Sequence, residues 1–209
     1  MKLTDAEQAY RQIKKQIVTT KLSPGAVISE SDLMLELQLG RTPIREAIKQ
    51  LQANSLVTIT PRRGMFVAEI TVTDLSKIFE VRIVIETLAA QLAAQRVTST
   101  QLDQLRHLAE TYKHTDQADK ETLITLDCEF HSILAAATHN NFLQKDLMHY
   151  YDLSLRIWYL AIQSTQPKDI DVDAHLKILL EIEAGNAEGA GGCMKKHVED
   201  FHQTIKKYL

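Results

Sequence analysis

The chain has 209 residues, of which 44% are hydrophobic and 24% charged, and its formal net charge is −3. This composition is typical of a globular protein with one large domain or two small ones, and no apolar run approaches the roughly 18 to 20 residues of a membrane span. The N-terminus carries Asp5 and Glu7 and has no apolar signal-peptide core. We therefore expect a cytoplasmic protein with no membrane segment. Cys128 and Cys193 stand in no metal-binding or catalytic motif, and we interpret them as small hydrophobic residues.

The charge is unevenly distributed along the chain. Residues 1–70 carry 10 Lys and Arg against 7 Asp and Glu, a net +3, whereas residues 71–209 carry 14 against 20, a net −6. A basic small module followed by an acidic larger one is compatible with phosphate binding in the first and regulation or assembly in the second.

Three short helices are predicted at the start of the chain. The first spans roughly residues 5–20 and ends before the turn signal Ser23-Pro24-Gly25. Ser29 is a candidate N-cap of the second helix, which Gln38-Leu39-Gly40 breaks. The third begins near Arg41 and carries a core stripe spaced i, i+3, i+4 and i+7, formed by Ile44, Ala47, Ile48 and Leu51.

A β-hairpin is predicted directly after the third helix. Residues 56–60 and 65–68 are rich in β-branched and apolar side chains, and they flank the turn Pro61-Arg62-Arg63-Gly64. Three helices followed by a hairpin predict a winged helix-turn-helix over residues 1–70, with the hairpin as the wing.

Residues 71–209 show essentially no strand signal, and Thr71–Asp74 is the predicted linker, with Thr73 as an N-cap. Six helices in this region predict an antiparallel all-α bundle, so the fold class as a whole is mainly α. The predicted helical ranges are 73–96, 99–113, 119–138, 140–163, 168–184 and 187–208.

Basic residues of the third helix and the wing are candidates for DNA contacts. A guanidinium fits both a phosphate and the O6/N7 edge of guanine, and Gly64 permits close approach of the wing backbone to a groove. The alternative is a solvated basic face, which is common on helices of this kind. The candidate residues are Arg41, Thr42, Arg45, Lys49, Arg62, Arg63 and Gly64.

The stretch from LSPGAVISESDL through RTPIREAI to RRGMFVAEIT resembles the DNA-binding domain of the GntR family of bacterial transcription regulators, in its FadR-like branch. The resemblance covers almost all of residues 8–70 and implies recognition-helix contacts from Arg41, Thr42 and Arg45, with a wing-tip contact from Gly64. Gly40, where the family usually has Ser or Thr, and Ser31, where it commonly has Arg, depart from the pattern. Both departures predict weaker non-specific DNA affinity. Gln38 stands where the family prefers Gly.

Four residues in the second region could converge on a metal ion. Asp127 and His131 are four apart and share one helix face, while His175 and His197 fall on two later helices. One carboxylate and three imidazoles suit zinc or another first-row divalent ion. The spacing alone leaves open that these are ordinary surface or core histidines, because the chain has eight of them.

Residues 75–206 resemble the FCD effector-binding domain, through FEVRIVIETLAAQLAA, DCEFHSILAAATHNNFL and AHLKILLEIEAGNAEGA. Some FCD domains contain a metal, and the resemblance to that branch implies the ligands Asp127, His131, His175 and His197. The expected metal is zinc, with nickel or manganese as alternatives. The resemblance also implies that Arg82 and Arg156 face the effector cavity, which favours a small carboxylate; the alternative for either is an interhelical salt bridge. The remaining histidines match no ligand position: His107, His114, His139, His149 and His202.

These features predict a homodimeric regulator of operator DNA, without enzymatic activity, that a small organic acid releases from DNA. Two alternatives remain open at this stage. A metal-dependent hydrolytic enzyme would use the Asp and His set to activate water. A metal-free sensor of acyl ligands would have a larger apolar cavity instead.

Overall fold

The computed structural model describes residues 3–161, 164, 166 and 171–208. The polypeptide divides into two units, one formed by the residues up to Thr71 together with Leu155–Leu160, the other by Val72–Ser154 and the residues from Ala161 onwards. The mainly α fold class, with an N-terminal winged helix-turn-helix and a C-terminal helical domain, is confirmed.

The helices of the first unit begin and end where local chemistry dictates. They are α1 (Asp5–Val18), α2 (Glu30–Leu37) and α3 (Arg41–Ala53). Thr4 and Glu7 form a capping box at the start of α1, and the Ser29 hydroxyl accepts the Asp32 N–H at 3.3 Å, which confirms Ser29 as an N-cap. Gln38, with φ of 53°, ends α2 in the left-handed conformation.

A three-stranded antiparallel sheet completes the first unit. Its strands are β1 (Val27–Ile28), β2 (Val57–Thr60) and β3 (Gly64–Val67), in the order β1-β3-β2. The predicted hairpin is β2–β3, with Thr60 opposite Gly64 and Val57 opposite Val67. Strand β1 was not predicted, because two residues are too few to show an alternating pattern.

Packing of α1 on α3 forms the core of the first unit. The predicted apolar stripe of α3 is buried, and α1 meets it with its own apolar face. This buried arrangement leaves the basic side of α3 exposed to solvent. The core residues from the two helices are Ala9, Ile13, Ile17, Ile44, Ala47, Ile48 and Leu51.

The second unit contains helices joined by short turns, and its described residues form no strand. Helix α4 packs extensively on α9, while α5 packs on α6 and α8. None of the helices in the described ranges is both long and apolar enough to cross a bilayer. The helices are α4 (Val72–Arg96), α5 (Ser99–His114), α6 (Lys120–Ala137), α7 (Asn141–Ala161, of which Leu155–Leu160 belong to the first unit), α8 (Ala174–Glu183) and α9 (Ala187–Lys206).

Two predicted boundaries in this unit were wrong. The segment proposed as a linker is already helical from Val72, and Asp74 lies in the first turn of α4, where a carboxylate stabilises a helix N-terminus. Helix α8 begins at Ala174 rather than at 168. Residues 171–173 form a turn in which the Asp173 N–H donates to Asp171 Oδ1, and residues 167–170 lie outside the described part of the chain.

Candidate metal centre and nucleic-acid interface

The DNA-contact candidates on α3 all face solvent. Arg41 and Thr42 occupy the first turn, and Arg45 and Lys49 continue along the exposed side. The N-cap of α3 is Gly40, which supplies no side-chain hydrogen bond, so the first backbone N–H groups of the helix are not capped by a side chain. Free N–H groups beside exposed cations favour an anion at this end of the helix.

Arg45 is already engaged by an acidic partner. Its Nε lies 2.9 Å from Oε1 and 3.0 Å from Oε2 of Glu30, a residue in the first turn of α2. The Arg45 side chain is nevertheless 58% exposed. The pair therefore orients the guanidinium while leaving most of it in contact with solvent.

The wing tip combines two exposed arginines with backbone that favours glycine. Arg62 adopts a positive φ of 64°, and Gly64 one of 114°, a conformation that side chains rarely adopt. A Cβ at Gly64 would meet nothing within 4 Å. The requirement for glycine here thus comes from the backbone, and the space around Gly64 is open to a partner.

The four residues predicted to bind a metal lie together in the second unit. Helix α6 contributes Asp127 and His131, α8 contributes His175 and α9 contributes His197. One ligand atom from each can be chosen so that all four lie within 4.8 Å of one another. Among the described residues this is the one group of three or more His, Cys, Asp or Glu side chains with such an arrangement. The histidines left out of the prediction, including His202, are not part of it.

The distances within the group are short enough for a shared ion. Asp127 Oδ1 lies 3.1 Å from His175 Nε2 and 3.8 Å from His131 Nε2, and the Nε2 atoms of His131 and His197 are 3.4 Å apart. Both ring nitrogens of His175 are buried and neither makes a hydrogen bond of standard geometry, although Nε2 lies within reach of Asp127 Oδ1. Buried polar atoms are rarely left unsatisfied, so these nitrogens suit a site in which a cation is the partner. The donor set, one carboxylate oxygen and imidazole nitrogens, is one that zinc, nickel and manganese accept.

Burial and mutual charge set the protonation of the group. Burial opposes ionisation of Asp127, but His131 and His175 outweigh it and hold the pKa of this carboxyl well below its usual range. Burial, reinforced by His175 and His131, lowers the pKa of His197 to about 3. At His131 burial acts downwards, yet Glu86 and Asp127 together raise its pKa. The group thus presents a carboxylate and a neutral His197, the forms that bind a metal.

Residues that the sequence did not single out surround this group. The Tyr151 hydroxyl donates to Asp127 Oδ2, and Glu86 Oε2 lies 2.8 Å from His131 Nδ1. Burial raises the pKa of Glu86, but Arg82 and His131 outweigh it and lower the value to about 2. The i, i+4 spacing of Arg82 and Glu86 was the signal that could have identified this pair.

The two arginines predicted to bind effector lie in different places. Arg82 is buried beside the group, with Nε 2.5 Å from Glu86 Oε1 and Nη1 2.6 Å from the Ser154 hydroxyl. Arg156 is also buried, but it belongs to the segment that packs with the first unit, and its Nη2 donates to the Ala68 carbonyl. Burial lowers the pKa of Arg156 to about 10.

A winged helix-turn-helix joined to a helical domain is the architecture of a transcription regulator. Comparison with known families agrees: residues 5–67 match "Bacterial regulatory proteins, gntR family", and residues 77–200 match "FCD domain". The chain belongs to the GntR family and carries an FCD domain. It is a GntR-family transcriptional regulator.

Individual relatives support this assignment along the whole chain. The chain is 31% identical to the HTH-type transcriptional regulator YdhC of Bacillus subtilis, over 97% of this chain and 91% of that protein. It is 23% identical to the HTH-type transcriptional repressor RspR of Escherichia coli, over 96% of this chain and 89% of that protein. The solved structure of E. coli McbR/YncC shares the fold, with a TM-score of 0.87 at 20% identity over 99% of each chain.

Proposed function

We propose that this regulator is a homodimeric repressor that responds to a small organic acid through a divalent metal ion, zinc first, held by Asp127, His131, His175 and His197. The observation that carries the proposal is the convergence of four ligand atoms within 4.8 Å of one another. A repressor among the relatives, RspR, supports the direction of regulation.

DNA binding is assigned to α3 and the wing. Arg41, Thr42 and Arg45 would contact base edges and phosphates from the exposed side of α3, with Lys49 further along the same helix. Arg62, Arg63 and Gly64 would contact DNA from the wing tip. One such module buries too little surface for tight specific binding, so a dimer on a palindromic operator in the cytoplasm is proposed.

The charge around the metal group explains why the effector would be a carboxylate. With its imidazoles neutral, as metal binding requires, the site would hold two buried carboxylates, Asp127 and Glu86, against the one guanidinium of Arg82, and would carry one negative charge in excess. A divalent cation reverses this to one positive charge in excess. A buried excess of this size is costly unless an anion compensates it, and a carboxylate that reaches the metal would do so. Arg82, beside the group, is the second proposed contact for the effector. Arg156 is less available to an effector, because its Nη2 donates to the Ala68 carbonyl.

Elemental analysis is the first test. Protein purified without a metal-affinity tag should contain about one equivalent of divalent metal per chain, and Asp127→Ala should contain far less. Asp103→Ala is the matched control, because it removes an exposed carboxylate in the same unit. Wild-type protein that remains free of metal after incubation with zinc, nickel and manganese would contradict the proposal.

The regulatory step is tested on an operator obtained by in vitro selection. Metal-loaded wild-type protein should release labelled operator when a matching carboxylate is added, whereas the corresponding amide should have no effect. The double variant His131→Ala, His197→Ala should bind the operator but ignore the carboxylate. An equal response from this variant would separate effector binding from the proposed metal.

A further inference from the structure

Glu86 is a buried carboxylate that the ligand set does not use. It lies on α4, is fully buried, and its two oxygens face different partners. Oε1 lies 2.5 Å from Arg82 Nε, while Oε2 lies 2.8 Å from His131 Nδ1. Glu86 therefore contacts the side of the His131 ring that faces away from the metal group, because Nε2 of the same ring is the atom near Asp127 and His197.

This contact restricts the tautomer of His131. A carboxylate only accepts hydrogen bonds, so Nδ1 of a neutral imidazole beside it carries the proton and Nε2 keeps its lone pair. That lone pair then faces His197 Nε2, 3.4 Å away. The Glu86 oxygen and the His131 nitrogen lie within hydrogen-bond distance, although their alignment departs from standard hydrogen-bond geometry.

A series of polar contacts through Arg82 and Ser154 holds Glu86 in position. Arg82 holds Oε1, and its Nη1 donates to the Ser154 hydroxyl at 2.6 Å. Ser154 in turn donates to the Tyr151 carbonyl at 2.8 Å, and the Tyr151 hydroxyl donates to Asp127 Oδ2. The same chain of contacts thus supports two ligands, His131 through Glu86 and Asp127 through Tyr151.

We infer that Glu86 is a positioning residue for the metal site, which orients His131 so that Nε2 binds the metal, and that Arg82 holds Glu86 in place for this role. The inference rests on the proposed metal site. Partners of this kind behind metal-bound histidines raise ligand basicity and fix ring orientation, and their removal typically weakens metal affinity about 10- to 100-fold.

The test measures Co²⁺ affinity by chelator competition and the absorption spectrum of the bound Co²⁺. Glu86→Gln should bind Co²⁺ about 10- to 100-fold more weakly and with an altered spectrum. Glu80→Gln is the matched control, because it makes the same change at an exposed position of the same helix, and it should behave as wild type. Glu86→Asp keeps the charge but shortens the side chain, and it should be weakened like Glu86→Gln.

The outcomes separate the possible roles. A lower melting temperature for Glu86→Gln with unchanged affinity and spectrum would make Glu86 structural only and overturn the inference. Wild-type affinity in Glu86→Asp would show that charge alone matters and would overturn positioning. If wild-type protein binds no Co²⁺, both the proposed metal site and this inference are overturned. If Asp127→Ala abolishes Co²⁺ binding but Glu86→Gln binds as wild type does, only this inference is overturned.

A measurement on the unmodified protein covers the case in which the variants fail to fold. In Zn²⁺-loaded wild-type protein with ¹⁵N-labelled histidine, His131 should show a protonated Nδ1 and a metal-bound Nε2. A metal-bound Nδ1 would overturn the inference.

Discussion

Arg45→Ala is expected to weaken operator binding more than binding to unrelated DNA. A bidentate arginine–guanine contact contributes about 1–3 kcal/mol of discrimination. To form it, the protein gives up part of the exposed Arg45–Glu30 pair, which is worth about 0.2–1 kcal/mol. The net loss is then about 1–2 kcal/mol per half-site. Two half-sites on a dimer give a loss of about 2–4 kcal/mol, which raises the dissociation constant by a factor of roughly 30 to 900.

Fluorescence anisotropy at one fixed salt concentration measures this effect on the selected operator and on a scrambled duplex. Arg106→Ala is the matched control, because Arg106 also pairs with a glutamate, Glu183, but lies in the helical unit. Glu30→Gln should increase affinity for the scrambled duplex, since it removes a negative charge that competes with phosphate for Arg45. An equal loss on both duplexes for Arg45→Ala would show a phosphate contact only, and no loss on either would refute the role of Arg45 in binding.

Three further results are expected. A chelator should lower the melting temperature of the metal-loaded protein by about 5–11 °C, because metal at about 100 times its dissociation constant adds about 2.7 kcal/mol of stability; no shift would argue against a metal in the folded state. His197→Ala should lose metal in equilibrium dialysis, whereas His202→Ala should keep it, because His202 is a buried histidine stacked on Phe79 outside the group; equal losses would point to unfolding instead. Gly192→Ala should raise the melting temperature by about 2–4 °C through helix propensity, whereas Gly191→Ala should lower it, because its Cβ would lie 2.7 Å from Gln91 Cγ; equal shifts in calorimetry would contradict that packing.

Local signals in the sequence were sufficient to predict the helices of the first unit. Ser29, Gln38 and the stripe on α3 act within a few residues of the chain, so the caps, the break and the buried face could be predicted from their neighbours. Strand β1 could not, because Val27 and Ile28 become a strand only by pairing with Phe66 and Met65, nearly 40 residues later in the chain.

The metal group also depends on contacts between residues that are far apart in the sequence. Asp127 and His131 share a helix face, and their spacing alone places them together. His175 and His197 lie on other helices, so the spacing left their convergence open, and the resemblance to a known domain was what favoured it. Their convergence depends on α8 packing against α9 and α5 against α6, which no spacing in the sequence encodes.

Glu86 was missed for a different reason: the arginine four residues before it suggests an exposed ion pair. A glutamate four residues after an arginine usually forms an exposed helical pair of small energetic value. In this chain both side chains are buried, at 3% and 0% exposure, so the pair must satisfy charges that water cannot reach. The composition around the pair argues for burial, since residues 81–90 are apolar except for Arg82, Glu86 and Thr87. A buried ion pair is costly unless further polar contacts satisfy its charges, and in this structure those contacts are the Ser154 hydroxyl for Arg82 and Nδ1 of His131 for Glu86.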